Sequence, residues 1–173
     1  MSRIDDMIDG INTFIEEFNE GAVFRTVCEQ CGDSMVEDVR SLLLEGKGSA
    51  DELGDEDKPL LPTYDNDLKS NGGYFKSVES AHAYKRWKIE VMQSLPMPPS
   101  DSPNLYIDGT FHSSLHTEWQ DKAFAVTSSA PFGEKVFAKY GVSCFGMSQV
   151  YYETIFRPVM LDRLTERLHE CIE

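Results

Sequence analysis

The sequence predicts an α+β fold, and two patterns support that prediction. Apolar residues recur at helical spacing in three parts of the chain, before residue 45, between 77 and 92, and after 148. Between about 111 and 128, apolar and polar residues alternate, which is typical of a small antiparallel hairpin. With 173 residues, of which 40% are hydrophobic, the chain can bury one core, so we expect a single domain over 1–173.

The N-terminal region is predicted to be helical. Ser2 and Asp5 are spaced like a helix cap, and the apolar residues that follow are Ile4, Met7, Ile8, Ile11, Ile15 and Phe18. A second series ends at the break Gly46-Lys47-Gly48 and consists of Val23, Val27, Cys31, Met35, Val39 and Leu42. Because Gly21 separates the two series, the pattern fits either one bent helix or two helices.

A long loop or arm is expected at about 46–73. Its first half is strongly acidic, whereas its second half contains Leu60-Leu61-Pro62-Thr63-Tyr64. Proline stiffens that apolar half, which either docks on a neighbouring subunit or packs back on its own domain. For the first alternative the interface candidates are Leu60, Leu61, Tyr64, Asp51, Glu52 and Asp55.

The second half of the chain is predicted to mix helices with the hairpin. A helix over Ser77–Met92 places Ala81, Tyr84, either Trp87 or Lys88, and Val91 on one face. The hairpin at about 111–128 is followed by a short helix that ends at Gly141 and by a short strand at 142–145. A C-terminal helix capped by Ser148 should be bent or divided near Pro158.

The predicted core takes the large residues on consistent helical or strand faces. It consists of Ile8, Ile11, Val39, Leu42, Tyr84, Trp87, Phe111, Trp119, Phe124, Phe137, Ile155 and Leu164.

The charge balance restricts the partners of the chain. Sixteen basic against 30 acidic residues give a net charge of −14, which repels nucleic-acid backbones and anionic membranes. No apolar run reaches the roughly 18 residues of a membrane span, and the acidic stretch 1–9 does not resemble a signal peptide. Four cysteines are too few for a secreted disulfide scaffold, so we expect a chain of the cytoplasm.

Two pairs of residues have the spacing of metal ligands. Cys28 and Cys31 could supply half of a zinc site, but the sequence offers no second half, so packed thiols are the favoured interpretation. His112 and His116 would share one face of a helix, whereas on the predicted strand they lie about 13 Å apart. We therefore predict no metal and no other cofactor, with the Cys pair as the zinc alternative.

No enzymatic activity is predicted. Ser113 and Ser114 adjoin His112, but no nucleophile-elbow motif surrounds them. The glycines at 46, 48, 72 and 73 do not form a phosphate-binding loop, and the acidic run at 51–57 lacks the alternation of a calcium loop. The expected catalytic residues are therefore none.

An ordered series of short motifs resembles a group of small virion proteins of tailed phages, especially phages of Bacteroides-type hosts. The series covers about residues 40–170 and comprises Glu45-Gly46-x-Gly48, Pro62-Thr63-Tyr64, Tyr84-x-x-Trp87-Lys88, residues 103–114 (PNLYIDGTFHSS), Lys139-Tyr140-Gly141 and Phe145-Gly146-Met147-Ser148. Residues 108–114 are also similar to a turn-and-strand feature of tail-completion proteins, although Asp-Gly-Thr replaces Thr-Gly-Asp.

The resemblance implies a structural protein that forms or binds a ring at the neck or tail. Its partners would be other copies of the chain and portal, neck or tail proteins, without specific nucleic-acid binding, although it could line the DNA channel. The chain would reside in the virion, and in the host cytoplasm during assembly. The alternatives are an acidic adaptor or inhibitor that mimics nucleic acid, and a zinc-stabilised module.

Overall fold

The computed structural model describes residues 3–49, 64–92, 104–120, 123–141 and 145–173. Its contacts divide the chain into two compact units, which we describe separately. Unit 1 comprises residues 1–34 and 150–173, and unit 2 comprises residues 35–149. The expectation of one domain over 1–173 stays a prediction.

The N-terminal region forms two helices, α1 at Arg3–Asn19 and α2 at Ala22–Leu44. Gly21 separates them with a φ of 76°, a left-handed conformation that costs glycine little. Its amide donates to the Phe18 carbonyl at 3.1 Å, which ends α1. The alternative of two helices is therefore correct, and α2 extends from unit 1 into unit 2 after Ser34.

The C-terminal helical region changes its hydrogen bonding next to Pro158. A short helix, α6 at Gln149–Tyr151, continues into a π-helical segment at Tyr152–Phe156 and then into α7 at Arg157–Ile172. The Arg157 amide donates to the Tyr152 carbonyl, five residues back. Proline has no amide hydrogen to continue an α-helical ladder, so a π segment just before it accommodates the missing bond. The π-helical segment divides the C-terminal helical region just before Pro158, where we predicted that the helix would be bent or divided.

Helices α1 and α7 of unit 1 contact each other along their length. At Gly10 the contact is so close that an added Cβ would overlap the backbone carbonyl of Cys171. Further along, the Arg167 guanidinium donates two hydrogen bonds of 2.6 Å to the Glu17 carboxylate. These two contacts fix which side of α1 faces α7.

Unit 2 combines helices with a two-stranded antiparallel sheet, which confirms the α+β prediction. Its elements after α2 are a 3-10 helix at Lys69–Asn71, α3 at Val78–Met92, α4 at Thr110–Ser113, β1 at Leu115–Gln120, β2 at Ala123–Ser128 and α5 at Gly133–Tyr140.

The hairpin has a continuous register, from Leu115 opposite Ser128 to Gln120 opposite Ala123. Residues alternate in burial along β1, beginning with the buried Leu115. Near the end of β1 and the start of β2, the rings of Trp119 and Phe124 lie 4.9 Å apart and pair across the strands. This pair joins the two strands at that end of the hairpin.

The hairpin begins later than predicted, because Thr110–Ser113 forms one helical turn rather than a strand. The Asp108 carboxylate accepts a hydrogen bond from the Thr110 amide at 2.9 Å. The hydroxyls of Ser113 and Ser114 donate to carbonyls three residues back. These local bonds satisfy backbone groups that a strand would have paired with a neighbour, so the prediction of strand from 111 is wrong.

Burial confirms part of the predicted core. Val39, Leu42 and Phe111 are less than 9% exposed. The prediction is wrong for five residues that are more than 40% exposed, namely Ile8, Ile11, Trp87, Phe137 and Ile155. Helical spacing identifies an apolar face but does not say whether another element covers it. Residues 142–144, most of the predicted short strand, lie outside the described ranges.

Replacing Gly10 with Ala should destabilise the protein. Ala favours a helix over Gly by about 1 kcal/mol where space is free, but here the methyl group would overlap the Cys171 carbonyl. Forcing the helices apart should cost about 1–3 kcal/mol, measured by denaturant unfolding. Asn12→Ala, on the exposed side of the same helix, is the control and should be neutral or stabilising. A stabilising Gly10→Ala would contradict the close packing.

Candidate functional site

One side of α1 exposes a row of large apolar residues. Their spacing is four, three, four and three residues, which is the repeat of a coiled-coil interface. We call this row the α1 seam, and it consists of Ile4, Ile8, Ile11, Ile15 and Phe18, which are 41–69% exposed. Gly10 and Glu17, which contact α7, lie about a third of a turn away around the helix. The packing of α1 on α7 therefore leaves the seam largely exposed within the part of the chain that the structure describes.

The flanks of the α1 seam carry little charge. In the heptad that the spacing defines, one flank holds Asp5, Asn12 and Asn19, and the other holds Met7 and Phe14. The remaining acids of α1 lie on other sides of the helix. On the Phe14 side, a groove of about 320 Å³ lies between α1 and α7, and its lining includes the seam residue Phe18 together with Phe14, Leu164, Thr165 and Leu168.

Unit 2 contains a cavity of about 500 Å³ with a largely aromatic lining. Its walls come from the segment 64–75, from α3, from the segment 105–111 and from the region of α5. The aromatic residues that line it are Tyr64, Tyr74, Phe75, Tyr84, Phe111, Phe132 and Tyr140. Tyr64, Phe75 and Tyr84 form a cluster with ring centroids 5.4–6.0 Å apart.

A tight loop places Tyr74 and Phe75 in the cavity wall. The Asp67 carbonyl accepts hydrogen bonds from the amides of both residues, each at 2.9 Å. The loop turns at Gly72, where φ is 79°, and a Cβ at Gly73 would overlap the Asp67 backbone. The sequence Asn71-Gly72-Gly73 therefore supplies the turn that folds this loop back on itself.

An ion pair connects this loop to α5. Asp67 is 5% exposed, and its two carboxylate oxygens each lie 3.1 Å from Lys139 Nζ. The Tyr74 amide also donates to Asp67 Oδ1, at 3.2 Å. Burial alone would lower the pKa of Lys139, but hydrogen bonds to Tyr140 and Asp67 outweigh it and raise that pKa. Lys139 is thus a cation with its charge compensated.

A second lysine in the cavity wall is buried without such compensation. Lys88 is 4% exposed, and its ammonium donates a hydrogen bond of 2.6 Å to Asn104 Oδ1. Among the described residues, no carboxylate forms an ion pair with it. Burial lowers its pKa from 10.5 to about 8. The neutral amide of Asn104 orients the ammonium but does not neutralise it.

Asn104 also connects Lys88 to a buried histidine. His112 Nε2 lies 2.9 Å from the Asn104 carbonyl oxygen, so Nε2 carries the proton and donates. The other ring nitrogen, Nδ1, has no hydrogen-bond partner among the described residues. Burial lowers the pKa of His112 against the hydrogen bond to Asn104, which raises it, and the cations of Arg40 and Lys88 add to the lowering. Through its Nε2 bond the imidazole holds Asn104 in place.

The two histidines with metal-like spacing lie in different environments. His112 is buried in α4, whereas His116 is exposed in β1 with Nδ1 on the Ser114 carbonyl at 3.0 Å. In the described part of the chain, no group of three His, Cys, Asp or Glu could hold a metal ion.

The cysteine pair lies buried within α2. Cys28 and Cys31 are 1% and 3% exposed. Burial raises the pKa of Cys28 to about 11 and, against a hydrogen bond from Tyr151, also raises that of Cys31. A zinc ligand must be a thiolate, which burial disfavours here. These properties support the interpretation as packed thiols.

The interface candidates in the arm are mostly outside the described ranges. Leu60, Leu61, Asp51, Glu52 and Asp55 belong to residues 50–63, so their role stays a prediction. Tyr64 is 4% exposed and packs against Phe75 and Ala81 of its own unit. For Tyr64 the structure therefore supports the alternative of packing back, and we remove it from the interface candidates.

The sequence pattern does not single out Lys88 as a residue of the candidate site. It left open whether Trp87 or Lys88 continues the inner face of α3, and the apolar residue was the natural choice. In the structure Trp87 is 44% exposed and Lys88 is buried. The spacing from Ala81 through Tyr84 to Lys88 is the signal that could have revealed it.

Comparison with protein-family models, with curated proteins and with solved structures gives no match to this chain. Within the described residues, no helix has the length and apolar character needed to cross a bilayer. The candidate sites are therefore judged by their own geometry, which offers the α1 seam and the aromatic cavity.

Replacing Lys88 with Met should stabilise the protein at pH 7 and less so at pH 9.5. Between pH 8 and 10.5 the unfolded chain holds a proton that the folded chain has lost, so the penalty of the buried charge disappears as pH rises. The full penalty of the buried Lys88 charge is about 3 kcal/mol, which is the upper limit of the stability that Lys88→Met gains at pH 7. Denaturant unfolding of both proteins at both pH values measures it. An equal difference at the two pH values would contradict the assignment.

Proposed function

We propose that the chain is a structural, non-enzymatic component of a tailed-phage virion that forms part of a ring at the neck or tail. The ordered motifs between residues 40 and 170 and their resemblance to small phage virion proteins support this proposal. The observation that carries the assembly part of it is the α1 seam. The partners are further copies of the chain and portal, neck or tail proteins.

The geometry of the α1 seam favours a second helix as its occupant. Five apolar side chains lie along 15 residues, which spans about 21 Å of helix. An uncovered row of this kind exposes apolar surface to water, and burying it gives roughly 25 cal/mol per Å². A helix with the same four-three spacing would match the row along its whole length, and another copy of α1 has that spacing.

The charge distribution of α1 permits such pairing despite the net charge of −14. Across a coiled-coil interface, the flanking positions of the two helices lie near each other and like charges there repel. Only Asp5 among the flanking residues is charged. The acids Asp6, Asp9 and Glu16 lie on other sides of the helix. A second copy therefore meets little like-charge repulsion at the α1 seam.

The acidity of the chain suits a ring through which DNA passes. Six to twelve copies at −14 each would place roughly −80 to −170 charges in one ring. Any share of that charge on the channel wall repels phosphates and lets the genome slide without being held. This role needs no specific nucleic-acid binding.

Replacing both Ile8 and Ile15 with Ser should prevent self-association without unfolding the chain. Both side chains are about half exposed in the single chain, so their loss removes little packing from unit 1 itself. We expect the unmodified protein to form oligomers of several copies at high ionic strength, and the double variant to associate at least about tenfold more weakly. Light scattering and sedimentation measure both.

Val150→Ser is the matched control, because Val150 is 69% exposed in the same unit but outside the α1 seam. It should associate like the unmodified chain. An unmodified chain that stays monomeric at high concentration would contradict the proposal and favour the acidic adaptor. Oligomers that persist in the double variant would show that another surface mediates assembly.

A further inference from the structure

We propose that the cavity of unit 2 binds a small aromatic anion, with Lys88 as the cation that receives the anionic group. The inference concerns unit 2 alone and stands whether or not the chain assembles through α1. It rests on the shape and lining of the cavity, on the pairing of its charged residues, and on the position of Lys88.

The cavity has the size and walls of a small-molecule site. Its volume of about 500 Å³ falls within the range typical of ligand pockets. Tyr64, Phe75 and Tyr84 present a cluster of rings, and the rings of Phe111 and Phe132 stack at 5.9 Å. A planar ring between such walls gains both apolar burial and favourable ring–ring geometry.

The charges around the cavity favour an anion over a cation. Three lysines and two aspartates line it, so the charged lining sums to +1 in a chain of −14. Both aspartates are engaged, since Asp67 binds Lys139 and Asp108 accepts from the Thr110 amide. Asp67 is neutralised by Lys139 and Asp108 is exposed, so the buried charge without an ion-pair partner among the described residues is the cation of Lys88.

Lys88 is the buried cation of the cavity wall, and no described carboxylate compensates its charge. Its 4% exposure excludes bulk water, and its described partner, Asn104 Oδ1, is neutral. A buried ammonium without a counter-ion is unfavourable, and a carboxylate brought by a ligand would remove that penalty. Lys139 differs because Asp67 already neutralises it. Lys135 is exposed and adds positive potential at the cavity.

The proposal predicts that affinity falls as pH rises from 7 to 9. The titratable groups at the cavity are Asp67, Asp108, Tyr64, Tyr74, Tyr84, Lys88, Lys135, Lys139 and Tyr140, with His112 beyond Asn104. The pKa values of Tyr64, Tyr84 and Lys139 are raised, whereas that of Lys88 is lowered to about 8. Loss of the Lys88 proton therefore removes the charge that the anion needs.

The test compares 1-naphthoate with 1-naphthamide by calorimetry on the full chain. The two probes share the ring system but differ in charge. We expect saturable binding of one naphthoate per chain, at least about tenfold tighter than the amide at pH 7, with the preference reduced at pH 9. Equal affinity for the two probes, or no saturable binding of naphthoate, would overturn the proposal.

Substitutions of the cavity lysines test whether naphthoate binds in the cavity of unit 2. Lys88→Met should abolish the preference for naphthoate, whereas Lys135→Met, at the exposed side of the same cavity, should change affinity by no more than a factor of about three. The double Ser variant at Ile8 and Ile15 should bind naphthoate unchanged, which separates the cavity from the α1 seam. An unchanged preference in Lys88→Met would contradict the proposal.

A second test uses the unmodified protein, so that it does not depend on whether Lys88→Met folds. Saturating naphthoate should slow reductive methylation of Lys88 several-fold, with Lys135 as the internal reference, as read by peptide mass spectrometry. Equal methylation of Lys88 with and without naphthoate would count against the site.

Discussion

The packing of α1 on α7 depends on the close approach at Gly10. Because residue 10 has no side chain, the two helices meet nearly backbone to backbone at the Cys171 carbonyl. The Arg167–Glu17 ion pair then fixes the rotation of α1 about its own axis relative to α7. The hydrogen bonds from Arg167 also lower the pKa of Glu17. With this side of α1 on α7, the α1 seam lies on a different side of the helix. The exposed row is thus a consequence of how unit 1 packs.

In unit 2 the corresponding constraint is that the buried charges of Asp67 and Lys88 need hydrogen-bond or ion-pair partners. Asp67 holds the loop 67–75 together through its backbone and joins it to α5 through Lys139. Among the described residues, Lys88 binds a neutral side-chain amide, at Asn104 Oδ1, instead of a carboxylate, and His112 Nε2 donates to the backbone carbonyl of the same Asn104. The first arrangement closes the wall of the cavity, and the second leaves an uncompensated cation beside it. Lys139 is partly exposed and paired, whereas Lys88 is buried and unpaired among the described residues, and this difference is the basis for proposing a ligand site at Lys88.

Sequence patterns predict the secondary-structure features that residues close together in the chain determine. Gly21 ends α1, Pro158 forces the change of helix type, and alternation marks the hairpin. The start of β1 was missed because hydrogen bonds from Asp108 and from the serines at 113 and 114 favour a helical turn over a strand. These side-chain hydrogen bonds stabilise the helical turn, but the alternation of apolar and polar residues is still present in the sequence. The alternation therefore predicts a strand where the structure has a helical turn.

The functional sites were harder to predict because they depend on what covers a face. Ile8 and Ile11 have the spacing of core residues, yet the glycine contact directs α1 so that both remain exposed. Lys88 occupies a helical position where an apolar residue is expected, and only tertiary packing selects it over Trp87. Periodicity identifies the apolar face of a helix. Whether that face is buried or exposed depends on contacts with residues far away in the sequence, which no short sequence pattern predicts.

The most direct test of the central claim is an electron-microscopy map of the phage particle in which we propose that the chain resides. Our proposal predicts several copies of the chain around the axis of the neck or tail, with the α1 seam of each copy buried against a neighbouring copy. A particle that lacks the chain, or a ring in which Ile8 and Ile15 of every copy face solvent, would contradict it.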